Sequence, residues 1–124
     1  MKKLLLIIAM APLLLATQCN EDDNGIACTE EARAGLNITI KDAETNLYLS
    51  EGVSVIATDG SYSEALISFD VVEPIFSGAY EREGNYIITV SKSGYVTYTS
   101  EIITVTSDVC HVIPQQITIL LQPE

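Results

Sequence analysis

Tryptophan is absent from this chain, histidine occurs once, and six lysines and arginines stand against 17 acids. Each shortage excludes something. A zinc site of the carboxypeptidase or metzincin type needs at least two histidines and a carboxylate, and His111 stands alone. The same scarcity weakens a serine triad, because only His111 could serve as its base. The deficit of bases argues against nucleic acid, whose phosphates would be repelled, and against electrostatic attachment to an anionic membrane. Without tryptophan, any sugar-stacking platform must come from tyrosines, and Tyr48, Tyr62, Tyr80 and Tyr98 are the candidates. No glycine-rich phosphate loop occurs. Asp42, Glu44, Asp59 and Asp70 lie near turn residues, a weak calcium signal because they form no oxygen loop of fixed spacing; no metal site is assigned and no cofactor is expected. Apolar residues never recur at helical spacing for three turns. The long apolar run from Leu4 to Leu15 is shorter than the about 20 residues a membrane helix requires.

That run follows Met1-Lys2-Lys3 and is broken only by Pro12, which is the form of an export signal. It leads into Leu15-Ala16-Thr17-Gln18-Cys19. The stretch resembles the lipobox of bacterial lipoproteins, in which lipid is placed on the cysteine and cleavage occurs before it. Ala16 stands where that pattern usually has leucine, and Gln18 where it has a small residue. The alternative is ordinary cleavage after Ala16, leaving Cys19 as a free thiol. Cysteine arithmetic favours the lipid, because three cysteines in an exported chain leave one without an internal partner. With Cys19 lipidated, Cys28 and Cys110 remain for one disulfide; two separate thiols are the other reading. The run Glu21-Asp22-Asp23 resembles the export signal that sends lipoproteins to the outer face of the outer membrane in some Gram-negative bacteria. It also reads as a solvated acidic tether.

Residues 1–18 are therefore expected to be the signal peptide, 19–29 the tether and 30–124 one small domain. Loss of the leader would leave 4 bases and 17 acids, a formal charge of −13. A Cys28–Cys110 bridge would close a long loop and stabilise the domain by roughly 4.5 kcal/mol in the chain-entropy picture.

The domain alternates apolar and polar residues throughout. Leu36–Lys41, Val53–Thr58, Tyr86–Ser91, Ile103–Thr106 and Ile117–Leu121 are rich in Val, Ile, Thr and Tyr, the signature of half-buried strands. Turn residues fall between them at Asp42 to Asn46, Asp59-Gly60-Ser61, Gly78, Glu83-Gly84-Asn85 and Ser93-Gly94. Ser68–Ser77 fits neither period and is read as a loop with a short turn or strand. The pattern predicts an all-β, seven-stranded antiparallel β-sandwich. Gly84 and Gly94 are placed where a positive φ is expected, and Tyr86 and Tyr95 where a ring can be buried with its hydroxyl at a sheet edge.

Three segments carry a further likeness: GLNITIKDAETNLYLSEGVSVIATDG (35–60), GAYEREGNYIITVSKSGYVTY (78–98) and the closing strand from Val112 to Gln122. Together they resemble the carboxypeptidase regulatory-like domain, a transthyretin-like β-sandwich, with GNYIITVSKSGY the most specific piece. The resemblance implies a non-catalytic module. Urate-pathway hydrolases of the same fold use several histidines, an arginine and a terminal Tyr-Arg-Gly-Ser, whereas this chain ends Leu120-Leu121-Gln122-Pro123-Glu124. Alternation along a strand would also hold Cys110 and His111 on opposite faces. The expected function is that of a non-catalytic, surface-exposed outer-membrane lipoprotein, attached through Cys19 and acting as a binding or structural module of the cell envelope. Its expected partner is an envelope protein or glycan, with a sheet edge as one surface open to binding. Capture of glycan or nutrient for an outer-membrane transporter is the alternative, and an enzyme of unfamiliar type a further one.

Overall fold

The computed structural model describes residues 27–124. The leader, Cys19 and the acidic run Glu21, Asp22, Asp23 lie outside the described residues. Nine strands are present and no helix occurs among the described residues: β1 (Ala34–Asp42), β2 (Ser54–Asp59), β3 (Tyr62–Ala65), β4 (Ile67–Ser68), β5 (Phe76–Tyr80), β6 (Gly84–Ser91), β7 (Tyr98–Thr99), β8 (Ile103–Val105) and β9 (Gln115–Leu121).

The strands form two sheets in a sandwich-like arrangement. One has the order β8-β6-β2-β3, with β7 also pairing with β6; the other has the order β9-β1-β5-β4. Alternation explains the core between them. Leu36, Ile38 and Ile40 of β1, Val55 and Ala57 of β2, and Tyr86, Ile88 and Val90 of β6 are all buried. They meet Phe76 of β5, Val105 of β8, and Ile119 and Leu121 of β9. Complete burial of one such aliphatic side chain is worth about 1.5–3 kcal/mol, which makes this interlayer core the main source of stability. Leu66 lies where the chain passes from the first sheet to the second. Its amide donates to Val55 O at 2.8 Å, and its side chain is buried.

Two expectations are corrected. There are nine strands rather than seven. The additional strands are two residues long, Ile67–Ser68 and Tyr98–Thr99, too short for any alternation to show. The sandwich is also not wholly antiparallel, because β9 runs parallel to β1, with Gln115 opposite Leu36 and Leu121 opposite Asp42. β9 follows a crossing from the other sheet, so no tight hairpin dictates its direction. A period of two reads the same in either direction.

Within Ser68–Ser77, Phe69–Ile75 forms the loop and Phe76 opens β5. Gly94 has φ +88°, as its turn position anticipated. Gly84 has no positive φ and is there for lack of room: a Cβ at this position would stand 2.6 Å from Asp59 Oδ2 and 3.1 Å from the Tyr86 ring.

Candidate functional site

The densest polar cluster lies at the end of the sandwich where the chain enters it. Cys28 and Cys110 are joined by a disulfide, with Cα atoms 5.3 Å apart across 82 residues of sequence. Beside it His111, only 8% exposed, has both ring nitrogens engaged. Nδ1 is 2.6 Å from Glu81 Oε2, and Nε2 is 3.0 Å from Thr29 Oγ1. Glu81 follows β5 with φ +52°, a left-handed conformation that costs an L-residue roughly 1–2 kcal/mol. Hydrogen bonds return that cost. Its Oε2 accepts from the Arg33 amide at 3.0 Å, its Oε1 from the Val112 amide at 3.0 Å, and its own amide donates to Arg33 O at 2.9 Å. Asp108 closes the adjoining turn, its Oδ1 accepting from the amides of Cys110 (2.8 Å) and His111 (2.9 Å).

The electrostatics follow from these contacts. The Val112 amide, joined by those of Arg33 and His111's ring, holds the Glu81 carboxyl below its ordinary range. The amides of His111 and Cys110 do the same for Asp108.

In order, Thr29, His111 and Glu81 line up as hydroxyl, imidazole and carboxylate, the sequence of groups that activates a nucleophile. Here every side-chain polar atom of His111 and Glu81 is used to join chain to chain. Four separated segments, at residues 28–29, 33, 81 and 108–112, are fastened at one point. Cys110 and His111 occupy a bend rather than a strand, so alternating strand faces do not separate them. Their functional separation comes from the disulfide, which removes the thiol.

A second cluster surrounds Arg82. Its guanidinium donates to Tyr86 Oη at 2.9 Å and Asp59 Oδ2 at 3.1 Å, and lies 3.6 Å from the Tyr62 ring centre. Tyr86 donates its hydroxyl proton to Arg82 O at 2.9 Å, so the buried ring keeps a satisfied polar end. Tyr95, across the sandwich, donates to Asp42 Oδ2 at 2.6 Å. That bond, with the Thr45 and Glu44 amides, holds Asp42 below the usual carboxylate range.

The four candidate tyrosines are not brought together. Tyr80 is opposite Ala34 at the start of β1, and Tyr48 is bridged to Lys41 near its end, about 24 Å away at the usual rise per residue. Tyr62 is on β3 and Tyr98 on β7, at opposite edges of the first sheet. Arg82 covers one face of Tyr62, and the Lys41 ammonium lies 4.9 Å from the centre of Tyr48.

The loop between β4 and β5 is a different kind of surface. Phe69, Val71 and Val72 are 84, 89 and 75% exposed. Asp70 braces them outward, its Oδ1 accepting from the Val72 amide at 2.8 Å while Ser68 Oγ donates to Asp70 O at 3.2 Å. Thr29 and Glu81 carry no local sequence signal, because their partners lie 30 residues or more away along the chain, whereas Asp108 bonds the amides two and three residues on, a local turn signal. No protein-family model matches this chain, and no curated protein sequence matches it.

Proposed function

We propose that this protein is a non-catalytic lipoprotein, held to the outer membrane by lipid on Cys19 and directed outward by Glu21, Asp22 and Asp23. Its β-sandwich, of the carboxypeptidase regulatory-like and transthyretin-like kind, serves as a binding or structural module of the cell envelope. The observation that supports a binding role is the loop carrying Phe69, Val71 and Val72. Three large apolar side chains held in water on a braced loop carry an unfavourable hydration free energy that burial against a partner would relieve. Their partner is an apolar recess on another envelope protein. The acidic domain repels nucleic acid and anionic lipid, which leaves the lipid as the means of attachment.

One experiment separates anchoring from binding. The intact protein is crosslinked in its native envelope and captured, alongside Cys19→Ala and Phe69→Ser/Val71→Ser variants. Cys19→Ala is expected in the soluble fraction, and continued membrane association would remove the lipid. The loop variant is expected to stay in the membrane while losing the captured partner. Capture unchanged by it would remove the loop as the binding surface.

A further inference from the structure

The longest free sheet edge is β9. The other edge strands have four residues or fewer, and β3 carries Glu64, whereas Gln115–Leu121 contains no charge, no proline and no bulge. Natural edges of this length are normally blunted by such features. Hydrogen bonds at its end establish which backbone groups are open. Leu121 O accepts from Ala43 N on the β1 side, and Gln122 O accepts from Val96 N on the opposite side. Gln115 O also faces β1, where Asn37 Nδ2 donates to it at 3.4 Å. In a parallel ladder each residue turns both its N–H and its C=O to one side. The odd-numbered residues of β9 therefore pair with β1, and Gln116, Thr118 and Leu120 direct three donors and three acceptors away from it.

This open stretch is a slot with closed ends. At one end Ile113 N donates to Thr106 O at 2.8 Å, and at the other Val96 N donates to Gln122 O at 2.8 Å. Both partner segments adjoin the β7 and β8 edge of the first sheet, so the edges of the two sheets lie on one side of the sandwich. Ile103 and Ile117, half-buried against the core, belong to these two edges. Tyr98, Ile102 and Leu120 are exposed there.

The geometry points to an added strand: an extended segment of a partner protein, alternating apolar and basic residues, that pairs with β9 from Gln116 to Leu120. The apolar side chains would meet the seam between the sheets. The basic ones answer the charge of a domain whose described residues hold 14 acids and 4 bases. Those bases are already committed: Arg33 to Glu31, Arg82 to Asp59, Lys92 to Glu51 O, and Lys41 to the Tyr48 ring. Glu101, Asp108 and Glu124 lie near the ends of the edge strands in sequence. A second copy of this chain fits less well. It brings the same excess of acid, and its own β9 edge is occupied beyond Gln116–Leu120 by the Thr106 and Val96 segments. The inference deepens the binding-module reading and rests on it.

The test is residue-resolved hydrogen exchange on the full chain in detergent, with excess acetylated and amidated Lys-Val-Lys-Val-Lys-Val-Lys. The amides of Gln116, Thr118 and Leu120 are expected to exchange fast in the free protein and at least tenfold more slowly with peptide. Those of Ile117 and Ile119, bonded to β1, stay slow in both. Thr118→Pro removes one outward donor and no β1 bond, and is expected to weaken the peptide by roughly tenfold while the melting temperature holds. Gln116→Pro replaces it should that variant fail to fold. Protection by Glu-Val-Glu-Val-Glu-Val-Glu equal to that by the basic peptide would overturn the charge argument. No protection on the edge would overturn the site. Protection that grows with protein concentration alone would assign the slot to a second copy. Loss of the site with partner capture through the apolar loop intact would leave the binding-module reading standing, so the two failures are distinguishable.

Discussion

Glu81 ties together three separated segments of this fold. Its carboxylate accepts from two backbone amides and meets the His111 ring, joining segments from Arg33 to Val112. Replacing it by glutamine keeps the shape but substitutes an amide N–H₂ for one acceptor oxygen, facing a backbone donor. We expect Glu81→Gln to cost about 1–3 kcal/mol, read as a lower urea midpoint at neutral pH. The pH dependence has a definite sign. Glu81, Asp108 and Asp42 all have folded-state pKa values below their ordinary ones. Each therefore contributes stability that is complete above its unfolded value, 4.5 for Glu and 3.8 for Asp, and is lost as pH falls through the lower folded value. Stability should decline as pH drops below about 4.5, and Glu81→Gln should decline less steeply. A parent whose unfolding midpoint is flat from pH 5 to pH 2 would contradict this.

The elements were legible to different degrees, and two glycines show why. Both belong to the GNYIITVSKSGY segment, and both were expected at positive φ. Gly94 is, with φ +88° and open space around it. Gly84 is held instead by crowding from Asp59, Arg82 and Tyr86, a fact of tertiary packing invisible in the local turn. Gly94→Ala should cost about 1 kcal/mol from backbone strain alone. Gly84→Ala should cost more and should also displace Arg82 from Asp59, detectable as a changed Tyr62 or Tyr86 ring environment by NMR. Equal effects with no ring perturbation would show that conformation governs both positions. The longer strands were readable because burial on one face imposes alternation. The two-residue strands were not, and neither was the direction of β9, because alternation has no polarity.

For the whole molecule the disulfide is decisive. It joins Cys28, at the start of the described chain, to Cys110 before β9, beside the Glu81–His111 lock. A domain of this size has limited core, so a closed loop of this length contributes roughly 4.5 kcal/mol by restricting the unfolded chain. Reduction, or Cys28→Ala with Cys110→Ala, should lower the stability by up to that amount while the Glu81 bonds keep the folded arrangement. Denaturant unfolding with and without reductant measures it, and a midpoint unmoved by reduction would show the lock alone suffices. In the proposed anchored state, Cys28 is also where the tether meets the domain, so the bridge carries any pull from the membrane into the sandwich.

Sequence alone determined that the domain is all-β, that its core lines one face of each long strand, and that Cys28 and Cys110 remain for each other once Cys19 is set aside. These depend on local period and on counting, which need no knowledge of what lies opposite. Tertiary structure alone decided that β9 runs parallel to β1, that its outer edge stays open between two closed ends, and that Thr29, Glu81 and His111 meet. Each depends on which strand lies beside which, and partners 30 or 82 residues apart leave no mark in the sequence between them.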